Sequence, residues 1–120
     1  MQCEFQAGEP GRLLCRIQDA DGEHIVGAAS PAEAVAGMSA ALDDVETTGA
    51  ADCYWTDANS EYRWVFKRHG ERLRVAVLRL TGVVPGYQHV AWVEEDASLL
   101  IASLRTAIAQ IPWPSAASRE

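Results

Sequence analysis

Residues 61–80 alternate apolar and polar side chains on both sides of a short break at His69-Gly70. Period-two alternation in two adjacent runs marks strands that bury one face only, so this segment commits the chain to antiparallel pairing. A two-residue hairpin loop wants positive φ at its central positions, which Gly accepts freely and His more readily than most residues. Centring the hairpin on His69-Gly70 sets Phe66 opposite Leu73, Trp64 opposite Val75 and Tyr62 opposite Val77, all on one face. The other face then carries Arg63 opposite Ala76, Val65 opposite Arg74 and Lys67 opposite Arg72.

Flanking segments extend this pattern. Cys3, Phe5 and Ala7 alternate, then Leu13, Cys15 and Ile17, then 23–27, with turn signals at Gly8-Glu9-Pro10-Gly11 and Asp19-Ala20-Asp21-Gly22. Ser30-Pro31-Ala32-Glu33 predicts a helix start with Ser30 as cap, Pro31 at its first position and Glu33 as the capping-box partner. Val35, Met38, Leu42 and Val45 form its apolar stripe, and Gly49 suits a left-handed cap, which predicts a helix over 31–47. A strand over 52–56 and a turn at 57–60 lead into the hairpin.

Val84-Pro85-Gly86-Tyr87 suits a type II turn and precedes a strand over 88–93. Asp96 caps a second helix with Leu100, Leu104, Ile108 and Ile111 as its stripe, which Pro112-Trp113-Pro114 stops. The order βββ-α-ββββ-α predicts an α+β fold, one antiparallel sheet of six or seven strands with two helices packed on one face. The expected organisation is a single domain over 1–111 and a C-terminal tail over 112–120, with no internal repeat.

At 120 residues, 48% apolar and 22% charged, the chain has the composition of an ordinary globular domain. No apolar run approaches the roughly 20 residues that a membrane helix needs. Met1-Gln2-Cys3-Glu4-Phe5-Gln6 has neither a basic nor an apolar signal region, so the cytosol is the expected location. Cys3, Cys15 and Cys53 are widely spaced without a C-x-x-C pair and read as reduced packing residues. Nine Arg against one Lys, with Ala the commonest residue, fit a GC-rich bacterial genome.

The net charge of −7 is unevenly spread. Residues 1–60 hold two Arg against eleven acids, whereas 61–80 hold six bases against two acids. An overall acidic field repels phosphates and argues against duplex DNA as a partner. Lys67 opposite Arg72 is locally unfavourable, so an anion over Arg63, Lys67, Arg72 and Arg74 is one reading of the hairpin. A solvated face whose Arg stems cover the sheet is the other. Asp43, Asp44 and Glu46 crowd the last turns of the first helix, where the helix dipole disfavours carboxylates. Pairing with the hairpin arginines, a cationic partner and plain solvation each account for that placement.

No motif for chemistry emerges. His24, His69 and His89 lie far apart, without metal-ligand spacing. Cys53 and His89 fall in strands that the fold could bring together, yet nothing local marks either as a nucleophile or base. Glu94, Glu95 and Asp96 suit a helix N-terminus, and no phosphate-binding glycine motif occurs. Tyr62, Trp64 and Phe66 mixed with cations resemble a single-strand binder, but alternation sends the hairpin's aromatics and cations to opposite faces. The expectation is a non-enzymatic chain without metal or cofactor.

Tyr54-Trp55-Thr56-Asp57 followed by Glu61-Tyr62-Arg63-Trp64-Val65-Phe66-Lys67-Arg68-His69-Gly70-Glu71-Arg72 resembles small bacterial α+β proteins of unknown function. Those carry a W-x-[DE] strand and an E-Y-R-W-x-F-x-R-x-G-[DE]-R hairpin after an amphipathic helix, with a second helix at the end. The resemblance covers the order of elements over 30–111, and His69 departs from the Asp common at its position. It implies the same fold and transfers no active site.

The functional expectation is a protein-interaction module, in its concrete form an inhibitor- or immunity-like protein whose acidic surface covers a basic site. Asp43, Asp44 and Glu46, with Arg63, Lys67, Arg72 and Arg74, are the candidate partner-binding residues. The alternative is a small-molecule-binding protein with its pocket between sheet and helices. A homodimer through an open sheet face bearing Val65, Ala76 and Leu78 is a further possibility for the partner.

Overall fold

The computed structural model describes residues 2–8, 11–82 and 85–111. Strands β1 (Gln2–Gly8), β2 (Arg12–Asp19) and β3 (Gly22–Ala28) precede helix α1 (Pro31–Thr48). Then come β4 (Ala50–Asp57), β5 (Ser60–His69), β6 (Arg72–Thr81), β7 (Tyr87–Asp96) and helix α2 (Ala97–Ala109). All strand pairs are antiparallel, and the class is α+β as expected. The single sheet is not: the strands form two sheets, β1-β2-β3 and β4-β5-β6-β7. They meet where Ala29 N–H donates to the Thr56 carbonyl at 2.8 Å. Alternation tells a strand which face to bury but not which neighbour to take, and α1 separates β3 from β4 in the chain.

The hairpin register also needs correction. Phe66 lies opposite Val75, Trp64 opposite Val77 and Tyr62 opposite Arg79, two residues away from the expected pairing. The outer face shifts in step, so that Arg63 faces Leu78, Val65 faces Ala76 and Lys67 faces Arg74. A slip of two keeps every side chain on its own face, which is why the apolar pattern alone fits both registers. His69 belongs to the ladder opposite Arg72, and the loop is Gly70-Glu71. Gly70 takes φ +61° while no non-glycine residue among those described has positive φ, an arrangement with glycine first that spares His69 the strain. The shifted loop is then used in packing, because the Glu71 carbonyl accepts from Ala97 N–H at 2.7 Å and receives the start of α2.

Helix ends follow their expected chemistry with one exception. Gly49 is left-handed and donates to the Val45 carbonyl, and the Asp96 carboxylate accepts from Leu99 N–H at 3.0 Å. Ser30 precedes α1 with Pro31 behind it, but its hydroxyl makes no capping bond, so the expected capping box is absent. Ile111 is buried just past the end of α2. The Pro112-Trp113-Pro114 stop and the tail lie outside the described residues, as do parts of the turns at 8–11 and 84–87.

The core has one side. Trp55, Trp64, Phe66, Leu73 and Val75 on the inner face of the larger sheet are at most 1% exposed. They join the α1 stripe (Ala34, Met38, Ala41, Leu42, Val45), the α2 stripe (Ala97, Leu100, Ile101, Leu104) and the inward residues of the smaller sheet in one cluster. Phe5, Trp55, Trp64 and Phe66 run through it as an aromatic chain with centroids 6.0, 5.0 and 6.5 Å apart. The opposite face of β4–β7 carries the alternate residues, which are half-buried or exposed, and neither helix covers it.

One ion pair ties the sheets together. The Arg12 guanidinium from β2 grips the Asp57 carboxylate at the end of β4 with two hydrogen bonds, Nε to Oδ1 at 3.0 Å and Nη2 to Oδ2. It passes directly over Gly27 of β3, where a Cβ would sit 2.5 Å from Arg12 Nη2 and 2.8 Å from Asp57 Oδ2. Gly27 therefore leaves room for the pair, and a Cβ there would displace the tips of both side chains rather than backbone. Gly27→Ala is expected to cost about 1–3 kcal/mol through overpacking and displacement of the pair. Urea denaturation should give that loss in the wild-type background and a smaller one beside Asp57→Ala, where the displaced pair is already gone.

Candidate interaction surface

Alternation along β4–β7 projects a second set of side chains to the uncovered outer face. Across the sheet one row reads Asp52, Val65, Ala76 and Trp92, and the next reads Tyr54, Arg63, Leu78 and His89. Val65, Ala76 and Leu78 occupy the two central strands and are half-buried by their neighbours alone. Around them Tyr54, Tyr87 and Trp92 remain 48%, 41% and 44% exposed. A register shift between Val77 and Leu78, taken up opposite Val90, places His89 and Tyr87 on the same face as Trp92. The result is an aromatic and aliphatic surface on the side away from both helices.

The expected cations lie on this surface, and most already have carboxylates. Arg63 donates to Asp52 Oδ2 from Nη2 at 2.8 Å and from Nε at 3.2 Å, and its Cζ lies 5.8 Å from the Tyr54 ring centre. The Asp52 hydrogen bond raises the Arg63 pKa against a small opposing effect of burial. Arg74 reaches Glu94 Oε1 at 3.4 Å and stands 5.6 Å over Trp92, while Arg72 donates to the Glu94 backbone carbonyl at 2.9 Å. Lys67, opposite Arg74, makes no side-chain hydrogen bond or ion pair among the described residues, and the same holds for Glu61 on that strand. The expected juxtaposition of Lys67 with Arg72 is not found: the cation opposite Lys67 is Arg74, which turns toward Trp92 and Glu94.

Asp43, Asp44 and Glu46 are elsewhere. They sit at the end of α1, in the helical layer, and do not meet the hairpin arginines. Asp43 and Glu46 instead take Arg105 of α2, each at 2.7 Å from Nη2. This bridge offsets the unfavourable dipole contact and fastens one helix to the other. Asp44 makes no side-chain ion pair among the described residues. The candidate residues therefore form two separate groups, one in the helical layer and one on the outer sheet face.

Cys53 points into the core from β4, where burial pushes its thiol up to about 12, and His89 is exposed on the outer face of β7. Opposite faces and opposite edges of the sheet exclude them as a catalytic pair. Among the described residues no group of three or more His, Cys, Asp or Glu side chains is placed to hold a metal ion. No described helix is long and apolar enough to cross a membrane. A groove of about 410 Å³ lies between the β2–β3 turn and β7, lined by Gln18, Asp19, Ala20, Trp92, Val93, Glu94 and Glu95.

Reading the hairpin alone missed the exposed aromatics, because they come from β4 and β7. Their signal was available: Tyr54 stands between Cys53 and Trp55, and Trp92 between Ala91 and Val93, each an out-of-phase aromatic flanked by inward residues. Comparison with protein-family models, curated proteins and solved structures found no match.

Asp19 fixes the edge of this surface. Its carboxylate accepts from Trp92 N–H at 3.1 Å, from Asp21 N–H at 2.9 Å and from the His24 ring at 3.0 Å. An edge-strand donor is thereby satisfied, and the β2–β3 turn is held against β7. Burial works against the charged form, but the Trp92 N–H, the His24 ring and the Asp21 N–H outweigh it and lower the pKa from its ordinary 3.8. A lowered carboxylate stabilises the fold above its unfolded value and loses that contribution as pH falls through the folded one. Denaturation of wild type and Asp19→Asn should therefore differ most at neutral pH. The difference should shrink on the acid side of 3.8.

Proposed function

We propose that the chain is a non-enzymatic protein-interaction module whose working surface is the outer face of β4–β7, centred on Trp92. One observation carries the reading: Tyr54, Tyr87 and Trp92 stay more than two-fifths exposed on a face that neither helix covers, around the apolar Val65, Ala76 and Leu78. Aromatic anchors framed by arginines are the composition of binding hot spots in protein–protein interfaces. Aromatics and cations do share this face, as a single-strand binder would need. Asp52 and Glu94 engage three of the four candidate cations, however, and offset two of their four charges, which favours protein over a phosphate backbone. The acidic end of α1 is the lesser candidate, because Arg105 already occupies Asp43 and Glu46. Small-molecule binding between sheet and helices has less support, since Trp64, Phe66, Met38, Leu42 and Leu104 fill that layer at 0% exposure.

Affinity capture from the native host with three baits tests the surface. A stoichiometric protein held by wild type and by Asp44→Lys but lost from Trp92→Ala supports the outer face. Loss from Asp44→Lys alone returns the inhibitor-like reading through the acidic helix end. A nucleic acid in place of a protein contradicts the proposal.

A second copy of the chain is the partner that one further observation favours. Glu61 and Lys67, unpaired among the described residues, lie on the same face of β5 and bracket its centre. In a two-fold, face-to-face packing with the β5 strands antiparallel, Glu61 of each copy stands over Lys67 of the other, and the contact occurs twice. Sedimentation should show a dimer that Glu61→Lys or Lys67→Glu alone dissociates and the double exchange restores. A strict monomer at high concentration, or a dimer indifferent to either reversal, rules out this arrangement and leaves the hetero-partner to the capture experiment.

A further inference from the structure

We propose that Cys3 and Cys15 are a dithiol modification site, converted by a peroxide-class oxidant into an intramolecular disulfide between β1 and β2. Twelve residues apart in the chain, the two are diagonal neighbours across the β1–β2 ladder, where Cys3 pairs with Ile17 and Cys15 with Phe5. Both project to the same face, and their sulfurs lie 3.0 Å apart. That is about an ångström beyond a sulfur–sulfur bond of ~2.05 Å. The spacing in sequence gave no hint of the pair, because the hairpin register alone brings the thiols together.

The two thiols differ in ways that order the reaction. Cys15 is fully buried at 0% exposure, and burial together with the Cys3 neighbour keeps its thiol protonated well above the ordinary range. Cys3 is half-buried and lines a surface concavity of about 240 Å³ with Glu4, Arg16 and Gln18, so an oxidant of hydrogen peroxide's size reaches it first. The Cys3 sulfur attacks one peroxide oxygen, the O–O bond breaks, and a sulfenic acid and one water form. The Cys15 sulfur then attacks the Cys3 sulfur, the S–S bond forms, and the S–O bond breaks. Hydroxide leaves with the Cys15 proton as a second water. Two thiols lose two electrons, and one peroxide is reduced to two waters.

Bond formation would staple an edge strand. β1 is an edge strand of the smaller sheet, paired with β2, and it brings Phe5 against Trp55. Cys53 provides an internal control, as a buried free thiol in β4 that makes no hydrogen bond to another thiol among the described residues.

The test oxidises the reduced full chain with hydrogen peroxide, alkylates it under denaturing conditions and maps the tryptic peptides. Cleavage after Arg12 separates the two cysteines. The expected product has lost two hydrogens, carries one alkyl group in place of three, and links the Cys3 and Cys15 peptides. Amide exchange in β1 should slow by about tenfold on oxidation. Cys3→Ser, at a half-exposed position that keeps the fold, and Cys15→Ala should each abolish the link, while Cys53→Ser should keep it. Three alkylated thiols after peroxide, a link through Cys53, or a sulfinic acid at Cys3 without a cross-link would each overturn the proposal.

Discussion

Burial of Trp55, Trp64 and Phe66 against two helices commits the larger sheet to one covered face, and the rest of the molecule follows from that commitment. Because side chains alternate across a strand, every inward aromatic obliges its neighbours to face out. The smaller sheet contributes Phe5 to the same aromatic chain and so packs on the covered side. What remains for solvent or partner is the outer face. It holds more exposed aromatic surface than a charged solubilising face requires.

Electrostatics in this chain work by local neutralisation. A net charge of −7 does not produce one acidic field around one basic patch. Arg105 draws two carboxylates of α1, Asp52 holds Arg63, Glu94 serves Arg72 and Arg74, and Asp57 receives Arg12 over Gly27. Most of these pairs are exposed, where each is worth well under about 1 kcal/mol. Their main consequence is geometric. They hold helix to helix and sheet to sheet, and they leave Lys67 and Glu61 as charges on the outer face with no partner among the described residues.

The element order was legible because each element carries a local signal. The β5–β6 alternation, Gly49 and Asp96 each mark their structure within a few residues, and their roles appear in the fold as expected. Long-range choices were not legible. The hairpin slipped by two because both registers bury Trp64 and Phe66. The sheet divided because nothing in β3 or β4 names its neighbour. The Arg105 bridge joins residues some sixty positions apart, so no window on the sequence holds both ends. Of the candidate site, the cations were visible on the hairpin, whereas Tyr54, Tyr87 and Trp92 required the sheet to be assembled before they shared a surface.

Hydroxyl-radical footprinting tests the central claim most directly, comparing the dilute purified chain with the chain in an extract of its native host. If the outer face is the working surface, Tyr54, Val65, Leu78 and Trp92 become protected in the extract. Leu99, 71% exposed on α2, should stay as reactive as before. Protection confined to the helical layer, with Trp92 unchanged, would contradict the account.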